Sequence, residues 1–158
     1  MINPNRNERT YTRQLISPVL TAICLVTMFL MSRLCPILQI LRFPFNLGGM
    51  LIGGSGLAVC YAAHHQFKHV GTTLYPFSKP EKLVTDGLFR FSRNPMYLGL
   101  TIFLAGAWLL LGCLSPLAIV AAFLLIADRW YVVREEKRLT AVFGNAYTTY
   151  RARTPRWL

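Results

Sequence analysis

Long apolar runs joined by short basic connections set the pattern of this chain. The first run, Leu15 to Ser32, is flanked by Arg13 and Arg33 and has about the length of a membrane-spanning helix. No small-residue cleavage site follows it, so it reads as a retained span. The second, Phe43 to Ala63, holds five glycines, with Gly49 and Gly53 in the GxxxG spacing that lets helices approach closely in lipid. From Asn94 to Ala127 some 34 residues pass without a charge. One straight helix of that length would reach about 51 Å, well beyond a hydrocarbon core of about 30 Å. Gly112 can end a helix and Ser115-Pro116 can start the next, so the stretch reads as a helical hairpin.

The last segment changes period. Leu139, Val142, Phe143, Ala146, Tyr147 and Tyr150 share one helical face, with Lys137, Arg138, Asn145 and Arg151 mainly opposite. That pattern predicts an amphipathic helix on a membrane surface, with Gly144 as the point where it can kink. The expected fold is an all-α integral membrane protein in a single domain, 1–158. Its spans fall at about 15–32, 43–63, 95–112 and 115–133, with a loop at 71–94 and a C-terminal helix at 135–150.

Charge fixes the expected orientation. The chain carries a net charge of +11 although 54% of it is hydrophobic. With four spans, Arg33 and Arg42 lie on one side and the other 15 of the 17 basic residues on the opposite side. The positive-inside rule then puts both termini and the long loop in the cytoplasm. The basic residues sit between apolar runs rather than on one polar segment, which argues against nucleic acid as a partner. Cys24, Cys35, Cys60 and Cys113 have no metal spacing and read as small apolar side chains. His64, His65 and His69 have no acidic or Cys neighbour to complete a metal site, so no metal is expected.

The candidate chemistry gathers at "FRFSRNPMYLG", Phe89 to Gly99. Asn94 and Pro95 suit the cap and first position of a helix, and a helix N-terminus presents free N–H groups and partial positive charge. Arg93 adds a two-pronged donor beside them, which makes an anion-binding corner. Glu135 and Glu136 follow the fourth span, and paired carboxylates beside a membrane are costly unless matched or used.

The order "LVTDGLFRFSRNPMYLG", hairpin, then "REEKRLTAVFGNAYTTYRARTPRWL" resembles the isoprenylcysteine carboxyl methyltransferase family, itself similar to the phospholipid methyltransferases. The resemblance covers about Gly71 to Leu158. It implies S-adenosylmethionine as methyl donor and a lipophilic acceptor taken from the bilayer: an isoprenylcysteine-like carboxylate, a thiol or a phospholipid amine. By position it implies that Leu83, Val84, Phe89, Arg93, Asn94, Pro95, Met96, Tyr97 and Glu135 hold the cofactor, with Arg93, Tyr97 and Glu135 nearest the chemistry. Asn94 stands where the family's Arg-His-Pro-x-Tyr motif has histidine, so a titrating imidazole is excluded there. Tyr131 stands where eukaryotic members place a substrate-linked arginine. Two other classes remain: an NADPH-dependent enzyme like the sterol reductases, and a non-catalytic small membrane protein.

Overall fold

A computed structural model describes residues 16–69 and 82–158, and among these the regular structure is helical. Helix α1 is Ile16–Leu34. A 3-10 turn, Phe45–Leu47, leads into α2, Gly48–His69. A second 3-10 turn, Gly87–Arg90, precedes α3, Pro95–Leu111. Helix α4, Leu117–Ile126, runs through a π-helical turn, Ala127–Val132, into α5, Val133–Phe143. Helix α6, Asn145–Arg153, is the last.

Glycine governs the tightest contact, between α2 and α3. A Cβ on Gly49 would sit 2.5 Å from the Gly106 carbonyl oxygen, and one on Gly56 would sit 2.5 Å from that of Gly99. Small residues on both helices therefore let backbone meet backbone, as the GxxxG spacing predicts. On the other side of α3, Leu104 packs with Cys24 and Met28 of α1 and with Val120 and Phe123 of α4, forming the main core.

The connections 35–44 and 112–116 meet at one end of the bundle. Gly112 closes α3 in the left-handed region at φ 70°, and its carbonyl accepts from the N–H groups of Ile40 (2.8 Å) and Leu41 (3.0 Å). The Leu114 N–H donates to the Ile37 carbonyl at 3.0 Å, and Gln39 and Cys113 form an antiparallel bridge.

The outer surface is apolar. Val26 and Phe29 of α1 and Met50, Leu51 and Leu57 of α2 are exposed. One helix, Phe45–Lys68, is long and apolar enough to cross a membrane, and only 17% of its most apolar stretch is buried, unlike the core helix of a water-soluble protein. Pro18–Leu34 and Pro95–Leu111 are shorter apolar helices.

The C-terminal part departs from the sequence expectation. No boundary separates the fourth apolar run from a new helix at 135, because no Gly or Pro interrupts 117–143. The break comes at Gly144, whose φ of 51° and ψ of −122° no L-residue adopts easily. It divides the expected continuous face: Tyr147 and Tyr150 are buried, whereas Val142 and Ala146 are exposed. The expected loop 71–94 falls partly outside the described residues.

The α2–α3 contact makes a paired prediction. Gly106→Ala drives a methyl into the backbone of Gly49 and Gly53 and should destabilise the protein by about 1–3 kcal/mol. Gly54→Ala meets open space and should be neutral or gain up to about 1 kcal/mol from helix propensity. Thermal unfolding in detergent micelles compares them, and equal melting would show that the glycine contact does not hold the helices together.

Candidate functional site

The segment leading into α3 is held against α2. Val84 and Phe89 pack with Ala63, with Phe67, Leu88 and Met96 around them. The Phe67 ring meets Phe89 edge-on at 4.8 Å. Gln66 reads the turn between them: its Nε2 donates to the Asp86 carbonyl at 2.5 Å, and its Oε1 accepts from the Leu88 N–H at 3.2 Å. Leu83 is half-buried beside Val84. Val84, Phe89 and Met96, expected in a cofactor wall, thus come together as a small apolar core.

Pro95 occupies the first turn of α3, and Asn94 stands at the cap position with φ −133°, but the Asn94 side chain does not cap the helix. Its Nδ2 instead donates to the Arg156 carbonyl at 3.3 Å, and its backbone N–H to Ser92 Oγ at 3.2 Å. Ser92 Oγ also donates to the Arg156 carbonyl, and the Arg93 N–H donates to that of Pro155 at 3.0 Å. Tyr150 completes the attachment, its hydroxyl donating to the Phe89 carbonyl at 2.6 Å. The last residues therefore lie along 89–94 like a short splint.

Glu136 sits where these pieces meet. Arg93 Nη1 donates to Glu136 Oε1 at 2.6 Å, while Arg156 donates through Nε to Oε1 at 3.1 Å and through Nη2 to Oε2 at 2.7 Å. The Glu136 and Arg93 side chains are each only 9% exposed, so the carboxylate is a buried bridge between two guanidinium groups. Arg156 Nη1 continues to Asp128 Oδ1 at 3.0 Å, where Trp157 Nε1 also donates at 3.1 Å. Tyr147 accepts a longer bond from Arg93, and its buried phenol is pushed above its ordinary pKa by loss of solvent, so it stays neutral. Arg93 Nε is buried without a partner among the described residues.

Glu135, one residue earlier, faces a different environment. It is half-buried and interacts electrostatically with Tyr97 of α3 and with Arg138 one turn on. Loss of solvent pushes its carboxyl from 4.5 up to about 7, with Glu136 raising it further and Arg138 opposing. The rings of Tyr97 and Tyr131 stack at 5.9 Å between centroids. The structure thus separates the adjacent glutamates: Glu136 is matched by two cations, and Glu135 is desolvated near Tyr97 with only Arg138 opposing the shift.

Asp128, Tyr147, Arg156 and Trp157 were not singled out as site residues from sequence, and Glu136 was noted there only as the neighbour of Glu135. One signal was available for Asp128, a carboxylate embedded in an apolar run.

A family model, phospholipid methyltransferase, matches residues 44–146, nearly two thirds of the chain. The chain belongs to the phospholipid methyltransferase family. The match takes in Arg93, Tyr97, Asp128 and both glutamates, and stops before Tyr147, Tyr150 and Arg156. Among curated relatives, protein-S-isoprenylcysteine O-methyltransferase of Schizosaccharomyces pombe is 32% identical over 78 residues, covering 49% of this chain and 33% of that protein. Protein-S-isoprenylcysteine O-methyltransferase B of Arabidopsis thaliana is 35% identical over 77 residues, covering 47% and 38%. The matched stretches span only about a third of these relatives' length. No solved structure matches.

Glu136→Gln leaves the buried Arg93 guanidinium and the partly exposed one of Arg156 sharing a neutral amide. Breaking a buried pair from one side costs about 3–5 kcal/mol, so this variant should unfold at clearly lower temperature. Glu135→Gln, which removes a carboxylate already near neutrality, should not. Matching thermal melts for the two variants would show that Glu136 is no structural bridge.

Proposed function

We propose that this chain is an S-adenosylmethionine-dependent methyltransferase that acts on a lipophilic acceptor at the cytoplasmic face of a membrane. One observation carries the reading: within the region matched by the family, Glu135 is held at about 7 beside the Tyr97–Tyr131 stack, one residue from the Arg93–Glu136 bridge. These groups suit a ligand with a cation at one end and a carboxylate at the other. Glu135 can accept from an ammonium or from ribose hydroxyls. Stacked tyrosine faces attract a sulfonium. Arg93 Nε is a buried donor without a partner among the described residues, and we assign it the methionine carboxylate. Leu83, Val84, Phe89, Asn94, Pro95 and Met96 shape the apolar side of the same region.

The bound cofactor supplies an already activated methyl group on sulfur. The protein's own task is to align the acceptor and exclude water, so proximity supplies most of the rate. Glu135, poised near neutrality, can take a proton where the acceptor is an amine. A carboxylate or thiolate acceptor requires no base. The relatives' names support an isoprenylcysteine carboxylate, and the family's name supports a phospholipid amine.

The bundle reads as four spans: α1, α2, α3, and α4 with its π-helical turn. Support comes from the connections 35–44 and 112–116 meeting at one end, with Arg33 and Arg42 as the basic residues between the first two expected spans, and from the charge excess elsewhere. Reporter fusions after Leu41 and after Leu114 should therefore both read external, and one after Leu158 internal. Opposite readings at Leu41 and Leu114 would overturn the arrangement.

Calorimetric titration of the detergent-solubilised protein tests the cofactor. S-adenosylmethionine should bind and NADPH should not; the reverse would favour a reductase. Binding of a cation by Glu135 requires the ionised carboxylate, so affinity should rise as pH passes upward through about 7. In Glu135→Gln that rise should vanish, with affinity reduced roughly tenfold or more through loss of a charge-assisted bond. Without cofactor the sign reverses. A carboxyl raised from 4.5 to about 7 in the folded state contributes stability that is fully present below 4.5 and lost as pH rises through 7. Glu135→Gln should flatten that decline. A pH-independent affinity in the unmodified protein would remove Glu135 from the site.

A further inference from the structure

An open cleft of about 570 Å³ lies between the end of α4 and the C-terminal residues, and Tyr97, Tyr131 and Glu135 do not line it. Its inner end is Arg93 and Arg156, whose charges Glu136 and Asp128 already match. Its outer end is different. Arg129 has a side chain 77% exposed and reaches Asp128 Oδ2 only at 3.6 Å. Asp128 meanwhile takes closer bonds from Arg156 and Trp157. Two guanidinium groups against two carboxylates cancel inside, so Arg129 leaves the cleft with one uncompensated positive charge.

The apolar part of the lining sets the kind of ligand. Leu124 and Leu125, one turn before Arg129, are both exposed, Leu125 by 60%. Just beyond, Arg134 lies over the Trp130 ring at 5.0 Å from its centroid, and that ring is 62% exposed. Tryptophan and arginine in this pairing mark the depth at which hydrocarbon gives way to headgroups. A cation at that depth, directly above bare leucines, complements a molecule with an anionic head and acyl chains.

We infer that this cleft docks the phosphate headgroup of an anionic membrane lipid on Arg129, with its chains along Leu124 and Leu125. The lipid is not consumed; it seats the α4–α5 helix and the C-terminal splint against the inner leaflet. The inference rests on the membrane-embedded reading; the cleft shares Arg93 with the proposed cofactor site, whereas Arg129, Leu124 and Leu125 belong to the cleft alone.

The full chain is reconstituted into nanodiscs of phosphatidylcholine with added phosphatidylglycerol, and retained lipid is measured by native mass spectrometry. Failure to enter the discs would overturn the membrane reading, and the inference with it. Within the discs, Arg129→Gln should weaken phosphatidylglycerol binding about fivefold, the effect of one interfacial cation. Arg153→Gln removes the same charge from an exposed position outside the cleft and should have a much smaller effect. Arg129→Lys should retain binding, since a lone positive charge suffices. Equal losses in the two Gln variants would show attraction by net charge only. Displacement of the lipid by inorganic phosphate at comparable concentration would show that the leucines contribute nothing. Either result overturns the proposal.

Discussion

A single buried carboxylate carries the organisation of the site. Glu136 holds Arg93, which stands at the entrance to α3, and Arg156, which belongs to the last residues of the chain. An unmatched charge at that burial would be prohibitive, and two guanidinium groups remove the problem while fixing three chain segments in one place. The consequences reach the backbone. With Arg156 fixed, its carbonyl and that of Pro155 become acceptors for Ser92, Arg93 and Asn94. The start of α3, where a helix would ordinarily take a side-chain cap, is bonded to the C-terminal splint instead. Local sequence rules alone would have Asn94 cap its own helix. The tertiary bond offered a better-placed acceptor, and the side chain went there.

The pair of adjacent glutamates shows how position on a helix decides chemistry. One residue of α-helix is about 100° of rotation. That turn carries Glu136 toward two cations and Glu135 toward Tyr97 and the single, partly offset charge of Arg138. Matched by two cations, the first is a strut. The second, desolvated and weakly matched, has a carboxyl that titrates near neutrality. Structure and reactivity are thus divided between two residues of one type, which is an economical way to keep a responsive carboxyl in a rigid place.

Much of the helical framework was legible in the sequence because its causes are local. Gly112 ends α3, Pro95 begins it, and the glycines of α2 face those of α3 as their spacing implies. What was not legible depends on contacts far apart in the chain. Glu135 and Glu136 are indistinguishable until the rotation of their helix relative to α3 is known. Arg156 entered only as one of the basic residues counted on one side of the membrane, because nothing in "RARTPRWL" says that its guanidinium lies against a carboxylate twenty positions earlier. The expected continuous amphipathic face failed for a backbone reason: Gly144 takes up dihedrals that interrupt the helical register, and the tyrosines beyond it answer to Phe89 and Arg93 rather than to the face before it.

The two ends of the bundle consequently have different mechanical characters. At one end the connections 35–44 and 112–116 hydrogen-bond to each other through backbone groups, which depends little on side-chain identity. At the other end the chain is joined through charges and phenols, whose strength depends on burial, protonation and the ligand beside them. The charged cofactor and lipophilic acceptor proposed for this site call for the second kind of joint, because only such groups can rearrange their partners as a ligand's own charges arrive. The orphaned Arg93 Nε marks where that rearrangement would start: it is the donor in the buried cluster for which the described residues provide no acceptor.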